Sequence, residues 1–247
     1  MNIFLTGGTG FIGSHLLRLL AKRNHTVTAL RRSTSQPCVA IGGHPLWLQK
    51  EMDKLEPSDF SEIDVLVHLA SVGVSPKSAS WHDLLYWNVL VMVDILEKAR
   101  SAGVKRLVLA GSYAEYGLSA DKFDFIPVDA PLIPTSPYAA SKAAGYIVAH
   151  TFAIEKKIEL CYLRIFSAYG EGQYFNNFWP ALRSAALSGA DFEMTPGGQV
   201  RDFVPVESVA RALLSSIEDA TITATKEPFV ANIGTGQPMS LLQFAEK

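Results

Sequence analysis

Eight residues near the start of the chain, Thr6-Gly7-Gly8-Thr9-Gly10-Phe11-Ile12-Gly13, constrain the fold more than any other stretch. They follow an apolar run, Asn2–Thr6, and lead into a helix-patterned run, Gly13–Lys22, so they read as the turn from a first strand into a first helix. In that setting the glycines have separate jobs. Gly7 permits the tight turn, Gly10 lets the backbone approach a pyrophosphate, and Gly13 lets helix and strand pack closely. The helix start at Phe11 and Ile12 offers unpaired N–H groups and a positive dipole end to the phosphates. A glycine triplet alone also occurs in ligand-free strand–helix turns. Its place between an N-terminal strand and a helix is what points to a dinucleotide.

The rest of the chain continues the same rhythm. Strand-like runs recur at Thr26–Leu30, Val65–Ala70, Arg106–Ala110, Glu159–Phe166 and Phe229–Ile233, with helical stretches near Leu84–Ala102 and Pro137–Lys156. Short apolar strands alternating with helices predict an α/β fold, a doubly wound Rossmann-type parallel sheet covered on both faces. Ligands then bind beyond the carboxyl ends of the strands. The expected domains are a dinucleotide-binding unit over 1–170 with a returning strand near 228–235, and a small C-terminal substrate-binding cap over 171–227 and 236–247. Ser240 reads as an N-cap, yet its helix meets the last residue, Lys247, without a stop signal, so the cap is expected to be incomplete in this chain.

Composition removes several classes of function. At 247 residues and 48% apolar the chain buries an ample core, roughly 72% of its unfolded surface. A net charge of −2 gives no basic field for nucleic acid or acidic lipid, so neither is an expected partner. The start carries no basic, apolar leader and no 18-residue apolar run occurs, which predicts a cytoplasmic protein without a membrane partner. Two cysteines, Cys38 and Cys161, are too few for a disulfide framework, and Cys161 reads as a buried free thiol. The histidines show no metal-site spacing, so no metal is expected. His68 lies inside an apolar strand and reads as structural.

Two further clusters carry chemistry. Arg31 and Arg32, followed by Ser33, stand just after the second strand, where an acidic residue would bind both ribose hydroxyls of NAD. Guanidiniums suit the extra 2′-phosphate of NADP, although a solvated basic loop has the same look. NADP is therefore the preferred cofactor and NAD the other. Tyr138 and Lys142, four apart at a helix start, share one face. The pair alone is a common surface contact. Here it follows the Arg106–Ala110 strand and the loop bearing Ser112, where a substrate-facing helix of this fold would lie. A phenol with an ordinary pKa of about 10 must trade a proton near neutrality, which an ammonium at Lys142 and an oxidised nicotinamide would assist. Ser112 can donate to a carbonyl oxygen that becomes an alkoxide.

With these elements in order, the chain resembles the extended short-chain dehydrogenase/reductase family, in its nucleotide-sugar epimerase/dehydratase branch. The likeness runs from residue 2 to the end. It is carried by the glycine turn, His68-Leu69-Ala70-Ser71, Gly111-Ser112-Tyr113-Ala114-Glu115-Tyr116-Gly117 and Ser136-Pro137-Tyr138-Ala139-Ala140-Ser141-Lys142. Arg164-Ile165-Phe166-Ser167-Ala168-Tyr169-Gly170, Arg201-Asp202-Phe203-Val204-Pro205-Val206 and Asn232-Ile233-Gly234-Thr235-Gly236 complete it. The resemblance implies a Ser112–Tyr138–Lys142 triad and places Leu69 and Ala70 along the cofactor. It also puts Asn177 and Arg201 on the substrate's diphosphate; loop capping and a surface ion pair are their bland alternatives. Three departures stand out. Ser167 replaces an Asn common in the family, and the chain is shorter than usual members. The sugar 4,6-dehydratases carry an Asp-Glu pair directly after the triad hydroxyl, where Tyr113 and Ala114 stand. Glu115 comes one residue later and faces the other way on an extended segment, so dehydration is disfavoured.

The expected function is an NAD(P)-dependent oxidoreductase on a nucleotide-diphosphate sugar, first of all a 4-keto-6-deoxysugar reductase using Tyr138 as general acid/base. Arg31 and Arg32 favour that reading. The alternative is a nucleotide-sugar 4-epimerase holding NAD tightly, and the remote one a non-catalytic nucleotide-sensing module. The apolar stretch Leu84–Leu96 is either fully buried or part of a subunit interface, and a homodimer is the expectation. Tyr113 and Tyr116 either line the sugar pocket or pack the loop.

Overall fold

The structure, a computed structural model, describes residues 1–32, 35–221 and 227–247; Ser33, grouped above with the arginine pair, lies outside them. Its centre is a parallel sheet of β1 (Asn2–Thr6), β2 (Thr26–Arg31), β3 (Leu46–Gln49), β4 (Val65–His68), β5 (Arg106–Ser112) and β6 (Glu159–Ile165). Three short strands follow, β7 (Ser167–Tyr169), β8 (Val200–Arg201) and β9 (Phe203–Pro205), before β10 (Phe229–Ile233) returns to the sheet. The order across it is β10-β6-β5-β4-β1-β2-β3. The order reverses between β1 and β4, and the crevice beyond their carboxyl ends is where such sheets bind ligands.

Alternation along each strand sorts the core into two layers. Phe4, Leu66, Leu107, Leu109, Leu160 and Tyr162 face one side, packed against Ile95, Leu96, Ala149 and Phe152. Those four come from α3 (Met92–Ser101) and α4 (Pro137–Lys156). Ile3, Leu5, Val65, Val67, Val108 and Leu163 face the other, against Leu16, Leu17 and Leu20 of α1 (Phe11–Leu20). Residues 206–218, within the stretch assigned above to the cap, form α6 (Val206–Glu218), whose buried Val209, Leu213 and Ile217 complete this second layer. The rest of that stretch contains α5 (Phe178–Ser188) and β8, which pairs antiparallel with β11 (Met239–Ser240). Ser240 does cap α7 (Leu241–Ala245), in a reciprocal box with Gln243.

Several elements differ from their sequence pattern. β3 is a short, half-exposed edge strand with too little alternation to stand out. β4 ends at His68 because Leu69 and Ala70 turn alongside Gly7. The Leu84–Ala102 stretch is not one helix: α2 (Trp81–Leu85) passes into a π-helical turn, Tyr86–Val91, before α3. Asn88 sits in that turn with its side chain buried and bonded outward. Among the described residues no helix is long and apolar enough to cross a membrane.

Candidate active site

The glycine turn behaves as its spacing demands. Gly7 adopts φ +75°, and a Cβ there would lie 2.8 Å from Ala70 N, so β1 and the loop after β4 meet only because the side chain is absent. A Cβ at Gly13 would lie 2.1 Å from Gly7 O. At Gly10 it would meet only Gly7 O, at 3.2 Å, which leaves that face of the turn open. Gly10 opens α1 without a side-chain cap, and no acidic residue occupies the first turn. The free N–H groups of the first turn are thus left to an anion, and the residues fit a dinucleotide's diphosphate. Leu69 N bonds Thr6 O at 3.2 Å and Ala70 N bonds Thr6 Oγ1 at 3.3 Å, fixing both residues beside the turn. His68 shares a 2.9 Å hydrogen bond with the same Thr6 hydroxyl. Burial, with the nearby Lys142, holds its pKa down at about 3, so the ring is a neutral structural group.

Arg31 ends β2 and lays its guanidinium over the Trp47 ring of β3, 5.0 Å from the centroid. Its buried Nε has no hydrogen-bond partner among the described residues, and Arg32 is exposed. A phosphate could use both. Stacking on Trp47 also gives Arg31 a structural role without any ligand.

Ser112 ends β5, and Tyr138 and Lys142 lie in the first turns of α4, whose N-cap is Ser136 and whose first residue is Pro137. Lys142 Nζ donates to Ala110 O at 2.6 Å, which ties the helix to the strand that presents Ser112. The hydroxyls of Ser112 and Ser71 lie close enough to the Tyr138 phenol to favour its ionised form. Burial pushes its pKa up to about 12; Glu115 adds to the rise and the two hydroxyls oppose it. Burial lowers the Lys142 pKa, and Glu115 works against that. The structure therefore brings Ser112, Tyr138 and Lys142 together at the carboxyl end of the sheet.

Asn177 and Arg201, expected on the substrate, are held by fewer contacts. Asn177 stands before α5 with no side-chain capping bond, so loop capping is not its role here. Among the described residues Arg201 makes no ion pair; its guanidinium lies over the Tyr113 ring at 5.7 Å, and Nη1 donates to Val200 O at 2.9 Å. Tyr113, adjacent to Ser112, thus links Arg201 to the triad. Tyr116 is fully buried, donates to Asn232 Oδ1 at 2.7 Å, and packs the loop.

Sequence reasoning passed over two parts of this site. The first is Asn88, whose Oδ1 accepts from Ser71 Oγ (3.0 Å) and Val72 N (2.9 Å) while Nδ2 donates to Ser141 Oγ (3.0 Å). It latches the loop after β4 to α4 and aims Ser71 at Tyr138. A polar residue inside an otherwise apolar helical run was the available signal. The second is a buried ion pair, Glu115 with Arg164, under Ser112. Glu115 follows Ser112 on a 3-10 turn rather than an extended segment, but it does face away from the cleft.

Comparison with known proteins agrees with this geometry. The profile of the NAD dependent epimerase/dehydratase family matches residues 3–234. A putative UDP-glucose 4-epimerase of Methanocaldococcus jannaschii is 30% identical over 257 residues, covering 97% of this chain and 78% of its own length. The UDP-glucose 4-epimerase of Lactobacillus helveticus is 28% identical, covering 100% and 80%. Among solved structures, MoeE5 in complex with UDP-glucose and NAD superposes with a TM-score of 0.83 at 32% identity, over 98% of this chain and 79% of that one. TunA, an NAD-dependent NDP-hexosamine 5,6-dehydratase, gives 0.82 at 31%, over 99% and 79%. With a glycine turn open to a diphosphate and a Ser–Tyr–Lys cluster beside it, matched across nearly its whole length, this chain belongs to the NAD-dependent epimerase/dehydratase family of nucleotide-sugar enzymes.

Proposed function

We propose that the chain is a UDP-sugar 4-epimerase working with NAD. The observation that carries the reading is what surrounds the triad. Tyr113 and Ala114 occupy the two positions where a 4,6-elimination would need an acid and a base, and Glu115 is sealed below with Arg164. What remains, Ser112, Tyr138 and Lys142, serves proton and hydride exchange at a single carbon. The relatives named as UDP-glucose 4-epimerases support the same choice.

In this reading Tyr138 takes the proton of the sugar 4-hydroxyl while Ser112 donates a hydrogen bond to the same oxygen. Lys142, anchored on Ala110 O, holds positive charge near the phenolate and reaches for the ribose. The bound nicotinamide supplies the hydride acceptor and later the donor. Tyr138 returns its proton to the oxygen once the opposite face of the ketone is presented. The glycine turn, Phe11, Ile12, Leu69 and Ala70 hold the cofactor, and Asn177 and Arg201 hold the substrate diphosphate.

The 4-keto-6-deoxysugar reductase with NADPH is the second reading, favoured by the Arg31 Nε, which has no hydrogen-bond partner among the described residues, and by the exposed Arg32. A homodimer formed by the apolar residues left exposed around α2 and α4, Trp81, Leu85, Leu90, Ile147 and Ile154, belongs to the proposal. So does a cytoplasmic setting, which the two free thiols suit. Denaturing the purified protein and identifying the released nucleotide separates the readings. Near-stoichiometric NAD or NADH supports the epimerase. An empty site that binds NADPH far more tightly than NADH supports the reductase.

A further inference from the structure

Glu115 is completely buried, and both of its carboxylate oxygens accept hydrogen bonds from inside the protein. Oε1 accepts from the Ser112 backbone N–H at 2.7 Å and from the Tyr162 hydroxyl at 2.8 Å; Oε2 accepts from Arg164 Nε at 2.7 Å. Arg164 is as deeply buried, donates to Tyr116 Oη (3.1 Å) and Val128 O (2.9 Å), and lies 4.2 Å from the Tyr146 ring centroid. The Tyr162 hydroxyl, its one proton given to Glu115, also lies 3.4 Å from the Lys142 carbonyl oxygen. One buried charge pair therefore touches the strand end that presents Ser112 and the helix turn that presents Tyr138 and Lys142. Removing two charges from water is costly, so a buried pair is weak evidence of added stability, and fixing a geometry is a role it can serve instead.

We propose that Glu115, held by Arg164 and Tyr162, is a positioning residue for the triad. Its carboxylate fixes the Ser112 backbone, and it is the buried negative charge that the Lys142 ammonium and the Tyr138 phenol both face from below. The other ionisable groups around the triad are Tyr113 and Tyr116 on the same turn, Tyr146 on α4 and Tyr162 on β6. His68 on β4 is neutral, and His150 lies beyond Arg164. Burial is the main influence on both groups, raising Tyr138 and lowering Lys142, and Glu115 pushes both upward. The phenol thus keeps its proton until the oxidised cofactor adds positive charge on the cleft side, so that proton release waits for the cofactor.

This deepens the reading of Tyr138 as the proton-transfer group and is tested without substrate. Tyrosine labelled with carbon-13 at Cζ reports ionisation of each phenol by NMR. The NAD complex is titrated from about pH 6 to 11, and Tyr138→Phe assigns the signal. In Glu115→Gln the Tyr138 midpoint should fall by about one unit or more, and Glu115→Asp should recover most of it. An unmoved midpoint overturns the proposal. If Glu115→Gln does not fold, Glu115→Gln/Arg164→Met removes both charges, a change buried pairs often tolerate, and its midpoint must also fall. A shifted midpoint in a protein that does not epimerise UDP-sugars would sink the proposed function alone. An active epimerase with an unshifted midpoint would sink this inference alone.

Discussion

Tyr138→Phe removes one oxygen and almost no volume, so its effects on fold and on chemistry separate cleanly. Ser71 keeps its bond to Asn88 Oδ1 and Ser112 Oγ keeps the Ala114 N–H, so neither hydroxyl is orphaned. The stability change should stay within about 1 kcal/mol. The chemical loss is far larger. With its pKa near 12, the phenol without its cofactor is ionised in only about one molecule in 10⁵ at pH 7. Lowering it to neutrality requires about 7 kcal/mol of favourable charge, at 1.36 kcal/mol per unit. Lys142 already stands beside the phenol in that state, so the added charge would have to come from an oxidised nicotinamide. Losing the proton carrier altogether should reduce turnover roughly 10²–10⁴-fold with NAD affinity unchanged. Parent turnover should rise with pH through neutrality as the phenol ionises, and the variant should lose that slope. The assay is kcat against pH for both proteins, with NAD binding measured in parallel. A variant that keeps a tenth of parental turnover, or the parental pH slope, would refute the role of Tyr138.

Gly13→Ala puts a methyl 2.1 Å from Gly7 O, so thermal unfolding should drop by several degrees and NAD binding by at least tenfold; calorimetry and titration check both. Arg31→Ala should weaken NADPH binding more than NADH binding, and equal losses would leave Arg31 as a partner of Trp47 only. Arg201→Ala should raise KM for the nucleotide sugar with little change in kcat, since its proposed role is to hold the diphosphate and it touches Tyr113 rather than a triad residue. His68 binds no proton until pH falls to about 3, whereas the unfolded chain takes one up near 6.5, so stability is lost as pH falls through that window, by up to about 1.4 kcal/mol per unit. His68→Gln should flatten that part of the stability–pH curve.

The glycine turn, the parallel sheet and the positions of Ser112, Tyr138 and Lys142 were all readable from local pattern, because each depends on a short spacing: a strand, a turn, an i,i+4 pair. β3 and the α5–α6 region were not. β3 is short and half exposed, and α6 contributes to the core only through packing on α1, which no local pattern records. The Glu115–Arg164 pair joins residues 49 apart, and Asn88 reaches Ser141 over 53. Such contacts exist only once the sheet has formed. Tyr113 and Tyr116 stand three apart in one motif, yet one stacks under Arg201 and the other is sealed in the loop. The turn decides between them. Arg31 shows the opposite limit, since its type suggested a phosphate and the fold supplied Trp47 as well.

The central claim is that this site exchanges configuration at C4 without net oxidation. The most direct test is to incubate the purified protein with UDP-glucose and NAD and follow the sugar proton signals by NMR. The account predicts UDP-galactose growing to a fixed ratio with no accumulation of NADH. UDP-glucose that stays unchanged while the same preparation oxidises NADPH with a nucleotide-linked 4-keto sugar would contradict it.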